Sequence, residues 1–221
     1  MEKIERNDFI ELKFVGKMKE GEVFDTNIPK EAEKIGLKID DKPFIICAGE
    51  KMVIEGLDDS LIDKEVGKKY SVEVPAKKAF GERKRENVKL IPLSVFHAQK
   101  IDPKPGMTLH MDYHLVRIAS VSGGRVLVDF NNPLAGKEIT YEFTITRKVS
   151  DTKEKIDAIL NYFVKHPIPY KLEEKKATFE ADKFLGQMIV MLNDKFKNIL
   201  DVELIVEEKK ESEIKEAKQS Q

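Results

Sequence analysis

Phe9-Ile10-Glu11-Leu12-Lys13-Phe14-Val15, turned by Lys19-Glu20-Gly21 and returned by Glu22-Val23-Phe24-Asp25-Thr26, is the stretch on which the fold turns. Phe9, Glu11, Lys13 and Val15 alternate with Ile10, Leu12 and Phe14, so residues 8–25 read as a β-hairpin. It brings two aromatic rings, Phe14 and Phe24, together with one carboxylate, Asp25. Taken singly, either ring is an ordinary core residue. Asp25, directly after an apolar strand, is by itself an ordinary turn residue.

Working outward, a polar loop runs from Asn27 to Asp41, with one helical turn expected over Lys30–Lys34. Residues 44–48, Phe44-Ile45-Ile46-Cys47-Ala48, read as a short buried strand. A helix is expected near 53–62, where Ile54, Leu57 and Leu61 recur on one face. After Gly67, the alternation of Tyr70, Val72 and Val74 predicts a strand ending at Pro75, and Ala79-Phe80-Gly81 follows.

The pattern changes near residue 86. Val88–Phe96 is apolar and is followed by Asp102-Pro103-Lys104-Pro105-Gly106. Met107, Leu109, Met111, Tyr113 and Leu115 alternate as one side of a single strand, which puts His110, Asp112 and His114 on its other side. That spacing is metal-compatible, but a polar surface is the plainer reading, and no metal is assigned. Ser122-Gly123-Gly124 signals a tight hairpin, with Val126, Val128 and Phe130 on the return strand. A unit of about 45 residues is too small for a comfortable core of its own, so it is expected to lean on a neighbour. Asn131-Asn132-Pro133-Leu134-Ala135-Gly136 leads to a strand over Ile139–Arg147 that completes the first sheet, which makes residues 87–133 an insertion.

From Asp151, an N-cap with Glu154 as its reciprocal partner, Ile156, Ile159, Leu160, Phe163 and Val164 follow helical spacing up to His166-Pro167. A strand is expected over Ala177–Glu180. A second helix from Asp182 carries Leu185, Met188, Ile189, Leu192, Phe196, Ile199 and Leu200 along one stripe. Val202, Leu204 and Val206 alternate, and the charged residues 207–221 read as a tail.

The chain has 221 residues, of which 41% are hydrophobic and 36% charged, with a net charge of -1. Such a balance argues against a nucleic-acid binder. One cysteine, Cys47, excludes an intrachain disulfide framework and points to a reducing compartment. The start lacks an apolar signal region, and no stretch approaches the ~20 apolar residues of a membrane span. The expected location is cytoplasmic.

In their order and spacing, Phe14, Gly21–Thr26, Lys42-Pro43-Phe44, Val53-Ile54-Glu55-Gly56-Leu57, Ala79-Phe80-Gly81 and Ile139-Thr140-Tyr141 resemble the pocket of FKBP-type prolyl isomerases. Val88, Pro92, Val95 and Phe96 at entry, and Asn132 with Leu134-Ala135-Gly136 at exit, resemble the inserted flap of SlyD-type members. The resemblance implies an α+β fold, with an FKBP-like antiparallel sheet wrapped around a short helix. Its expected parts are an isomerase domain (1–86 plus 134–149), an inserted flap or chaperone domain (87–133), a C-terminal α+β domain (150–206) and a charged tail (207–221).

It further implies Asp25, Phe80 and Tyr141 as catalytic residues, and Phe14, Phe24, Phe44, Val53, Ile54 and Leu57 as the substrate-binding pocket. Met107, Leu109, Met111 and Tyr113 would bind unfolded chain on the flap. No cofactor is implied. The partners would be unfolded or partly folded proteins with X-Pro bonds, together with a homodimer through the C-terminal domain; neither nucleic acid nor membrane is expected. Phe14 and Phe80 stand where many relatives have tyrosine, and Leu57 where the floor is often tryptophan. A modest isomerase with weak macrolide binding is therefore expected. The rival readings are a non-catalytic holdase and an assembly scaffold acting through the C-terminal domain.

Overall fold

The structure is a computed structural model in which residues 2–111, 114–165 and 167–208 are described. In chain order the elements are β1 (Phe9–Met18), β2 (Val23–Thr26), α1 (Pro29–Lys34), β3 (Ile45–Cys47), α2 (Glu55–Leu61), β4 (Lys69–Val74) and β5 (Val88–Pro92). Then come α3 (Leu93–Ala98), β6 (Thr108–Met111), β7 (His114–Ser122), β8 (Arg125–Asp129), β9 (Ile139–Lys148) and α4 (Thr152–Phe163). The chain ends with β10 (Tyr170–Glu173), β11 (Lys176–Ala181), α5 (Lys183–Val190), α6 (Asn193–Lys195) and β12 (Glu203–Glu208).

The first sheet runs β2-β1-β9-β4, with β3 also paired to β1, and every pairing is antiparallel. Two ten-residue strands separated by 120 residues of chain form its centre, paired from Ile10↔Lys148 to Met18↔Ile139 with one bulge between Glu11 and Leu12. Against this sheet lies α2, whose Leu57 and Leu61 are buried. Gly56 permits that approach: a Cβ there would meet Val74 Cγ1 at 2.3 Å. The expected helix over 53–62 is shorter, because Ile54 caps it in extended backbone. Val53 and Ile54 are thereby left to a loop. The expected strand at 44–48 contracts to β3.

Residues 88–129 form a separate four-stranded sheet, β5-β8-β7-β6, with its own cluster of Phe96, Val116, Ile118, Val126 and Val128. The apolar run Val88–Phe96 is not one element: β5 ends at Pro92, and α3 turns Phe96 into that cluster. The predicted single strand over 107–115 is also corrected. Thr108–Met111 form β6, and His114 and Leu115 open the antiparallel β7, with Met111 opposite His114 and His110 opposite Leu115. A period of two cannot by itself distinguish one long strand from two short antiparallel ones when no glycine or proline interrupts the alternation. Gly123 and Gly124 both have positive φ, as the β7–β8 turn requires.

The insertion meets the first sheet through polar side chains. Buried Asn131 accepts from Lys84 N at 2.9 Å, donates to Lys84 O at 3.0 Å and to Asp129 Oδ1 at 2.7 Å, and Arg83 pairs with Asp129. This clasp joins the two ends of the insertion.

The C-terminal unit pairs β10-β11 antiparallel and β11-β12 parallel. Asp151 caps α4 by accepting from Glu154 N at 2.8 Å, but the Glu154 side chain pairs with Arg147 rather than reaching back. The expected long helix from Asp182 is broken into α5, α6 and a π-helical turn over Phe196–Leu200, and β12 continues to Glu208 where a tail was expected. The remainder of that predicted tail, 209–221, lies outside the described residues. Ile156, Ile159, Leu160, Phe179 and Phe196 belong to the same continuous core as Leu12, Leu57 and Ile145. Each such fully buried side chain contributes about 1.5–3 kcal/mol. This unit is therefore fused to the first sheet, while the insertion is not.

Candidate active site

Three neighbouring strands supply one row of the site. Gly16 on β1 pairs with Asp25 on β2 on one side and with Tyr141 on β9 on the other. Residues directly opposite on adjacent strands point to the same face. Because Gly16 has no side chain, the Tyr141 ring leans across it, and its hydroxyl donates to Asp25 Oδ2 at 3.4 Å. A Cβ at Gly16 would meet Phe24 Cζ at 2.9 Å and Tyr141 Cε1 at 3.0 Å. The period-2 pattern ignored this glycine, although a glycine inside a strand is a signal of close approach.

Side-chain hydrogen bonds fix the hairpin end. Thr26 Oγ1 donates to Phe14 O at 2.8 Å, Phe14 N donates to Asn27 Oδ1 at 2.8 Å, and Asn27 Nδ2 donates to Leu12 O at 2.6 Å. The opposite wall is a loop held by α2. Buried Asp58 accepts from Gly49 N and Lys51 N, both at 2.9 Å, and Cys47 N donates to Met52 Sδ at 3.2 Å. Met52, Val53 and Ile54 are thereby set above Leu57.

Together Phe14, Asp25, Phe44, Met52, Val53, Ile54, Leu57, Tyr141 and Tyr162 line a cavity of about 380 Å³. Phe14 packs on Phe44 and Tyr141, with ring centroids at 5.7 and 5.6 Å. Seven of the nine residues expected at the catalytic and pocket positions meet here. Phe24 and Phe80 do not line this cavity. Phe24 stacks edge-on against Tyr141 at 5.9 Å, and Phe80 against Phe24 at 5.8 Å, so Phe80 is two rings removed from it. Two lining residues were not foreseen. Met52 is hidden in a loop, and Tyr162 belongs to α4, where its spacing gave no signal of contact with the loop at Lys51, 111 residues earlier.

Burial raises the Asp25 carboxyl above its ordinary value, against the opposing hydrogen bonds from Tyr141 and the Thr26 backbone. Burial, then the Asp25 charge, pushes the Tyr141 phenol up, so it stays a neutral donor. Cys47 is buried, and its thiol is pushed up to about 12 by burial and then by Glu50, which suits a packing role.

On the insertion, Met107 is exposed, while Leu109 and Met111 are half-buried against the local cluster; Tyr113 lies outside the described residues. Leu90, Val95 and Leu115, not foreseen as chain-binding residues, are exposed as well. His110 and His114 stand on different strands, and Asp112 lies outside the described residues, so the one-face arrangement of the three is not formed by a single strand. Among the described residues no group of three or more histidine, cysteine or acidic side chains suits a metal, and no helix is long and apolar enough to cross a membrane.

An antiparallel sheet folded over a short helix, enclosing an aromatic hollow with one half-buried carboxylate, is the α+β class of fold and site that the chain presents. Comparison with known proteins gives that class its family. Residues 1–97 match the FKBP-type peptidyl-prolyl cis-trans isomerase family, and residues 89–134 match the family described as FKBP26, IF domain. A short-type peptidyl-prolyl cis-trans isomerase of Methanocaldococcus jannaschii is 29% identical over 68% of this chain and 94% of its own length. The FKBP-type isomerase SlyD of Vibrio cholerae is 28% identical over 70% of this chain and 73% of its own. Among solved structures, the three FKBP domains of wheat FKBP73 align at a TM-score of 0.38 and 18% identity, over 68% of this chain and 42% of that one. Over residues 1–97 the chain carries the pattern of the FKBP-type peptidyl-prolyl cis-trans isomerase family, an enzyme class, and SlyD proteins are among its relatives.

Proposed function

We propose that the cavity between Phe14, Leu57 and Tyr141 holds the proline of an X-Pro bond while it rotates, and that the inserted sheet presents unfolded chain to it. The cavity itself carries the first half of this reading. Rotation about the bond meets a barrier of about 18–20 kcal/mol, because amide resonance is lost at the twisted geometry. The twisted amide has less charge separation than the planar one, so a dry apolar wall disfavours the planar ground state more. No covalent step is needed: each ~1.4 kcal/mol recovered gives tenfold in rate. Asp25 at the rim places negative charge near the rotating unit, and the Tyr141 hydroxyl orients it. Phe80 acts through Phe24, holding the aromatic wall behind Tyr141.

Met107, with Leu109 and Met111 beside it, gives the insertion an adaptable apolar margin that supports a chain-binding role. Tethering such a surface next to the cavity raises the effective concentration of captured prolyl bonds. Phe184, Val190 and Met191 are exposed on the C-terminal unit and support a homodimer through that unit. Sedimentation of Met191→Glu against the native chain tests this, since a dimer would shift toward monomer. The absence of a disulfide framework favours a cytoplasmic home.

Exchange spectroscopy on an X-Pro tetrapeptide tests the central reading. Acceleration of cis–trans exchange, lost when Leu57 and Tyr141 are both replaced by alanine, is the expected result. A chain that suppresses aggregation without accelerating exchange would instead be a holdase.

A further inference from the structure

A second and larger hollow, of about 860 Å³, lies between β3 with its preceding segment and α4. It adjoins the prolyl cavity, since Phe44, Met52 and Tyr162 line both. Its floor is Ile45, Ile46 and Ala158, and Phe163 adds a second ring at the α4 wall.

The α4 wall is held in place. Tyr162 Oη donates to Lys51 O at 3.1 Å, which ties α4 to the loop that carries Met52 and Val53. Tyr162 and Phe163 stack edge-on at 4.8 Å, Lys195 lies 5.2 Å over the Phe163 ring, and Lys195 pairs with Glu50 at 2.5 Å. On the near side, Arg147 joins Glu11 at 2.7 Å and Glu154 at 2.8 Å. Asp157 accepts from Tyr170 Oη at 2.9 Å. These groups are engaged with one another, so that, apart from Lys42, Asn161 and Lys165 on the walls, the recognition surface is the apolar floor and the two rings.

We propose that this groove is a second substrate subsite, built by the C-terminal unit, for the residues of the polypeptide on one side of the isomerising proline. It rests on the prolyl-site reading above and extends it. The occupant follows from this adjacency. A chain whose proline fills the first cavity leaves along its rim, and an extended peptide advances about 3.3–3.6 Å per residue. One flank therefore enters between Phe44 and Tyr162. The surface selects large aliphatic or aromatic side chains on that flank. Such side chains are buried in folded proteins and exposed in unfolded ones, so the groove biases the enzyme toward folding substrates. Tyr162 is then a specificity residue shared by both compartments.

The test compares kcat/KM for an X-Pro tetrapeptide with that for peptides extended by four apolar residues on either side, using the full chain. Extension on one side is expected to raise kcat/KM about tenfold, and extension on the other side to change it little. Asn161→Trp, an exposed groove position on α4, and Lys42→Trp, on the opposite wall, fill the groove without removing a core contact. Each should bring the extended-to-short ratio close to one. Replacing the apolar flank by serine and glutamate should do the same for the native chain. A native gain that survives both tryptophan variants, or no native gain on either side, overturns the subsite. Failure to accelerate any of the peptides removes the prolyl-site reading and the subsite with it.

Discussion

Tyr141 and Asp25, separated by 116 residues of chain, meet across Gly16, with the phenol donating to the carboxylate at 3.4 Å. This contact joins the two roles proposed for the cavity, apolar containment by the ring and charge placement at the rim. It depends on one missing side chain.

That dependence makes Gly16→Ala informative. Its Cβ would press on Phe24 and Tyr141 at 2.9 and 3.0 Å, and overpacking of this kind costs about 1–3 kcal/mol. Denaturant titration should show a loss in that range. Since displacing a positioning ring by a fraction of an ångström also disturbs reactive geometry, kcat/KM on a tetrapeptide should fall about tenfold. A stable, fully active Gly16→Ala would mean that the rings yield freely.

Asp25 gives a pH signature. Its carboxyl titrates above the ordinary value because burial disfavours the charge. Tetrapeptide isomerisation should decline as pH falls through that raised pKa, while Asp25→Asn gives a flat profile at roughly threefold to tenfold lower rate. The sign for stability is opposite. A group whose folded pKa exceeds its unfolded one contributes stability at low pH that is lost as pH rises through the folded value. The Tm of Asp25→Asn should therefore rise relative to the native chain on going from mildly acidic to neutral pH.

Excision of residues 87–133 follows from the separate cluster around Phe96 and Ile118 and the polar clasp at Asn131. With the ends rejoined by a short glycine linker, tetrapeptide turnover should be retained. Catalysed refolding of a proline-limited protein should drop about tenfold or more, because the tethered binding surface is gone. Equal losses on both substrates would end the proposed division of labour.

Cys47 should be inert. With its thiol pushed up to about 12 from 9.0, the thiolate fraction at neutral pH is about a thousandfold smaller than for a free cysteine. Alkylation of the native chain should be correspondingly slow, and fast once denaturant opens the core.

Legibility followed range. The β1 hairpin, α2, α4 and the Gly123-Gly124 turn were readable because local period and turn chemistry decide them. The split of residues 107–115 into β6 and β7 was not, since no glycine or proline marks it and alternation continues across it. Seven cavity residues were reached through ordered spacing that resembles a family, not through periodicity. Phe80 was expected at the cavity but stands two rings behind it, because spacing fixes a position on a strand or loop and not the rings packed in front of it.

The amino-acid order by itself settled which segments alternate, which turn and which repeat at helical intervals, since those preferences act between neighbours along the backbone. Only the folded chain decided that Gly16 lies between Asp25 and Tyr141, that Asn131 clasps the insertion and that Tyr162 walls the cavity. Contacts across a hundred residues arise from sheet register and from burial shared between distant segments, and neither leaves a mark in local sequence.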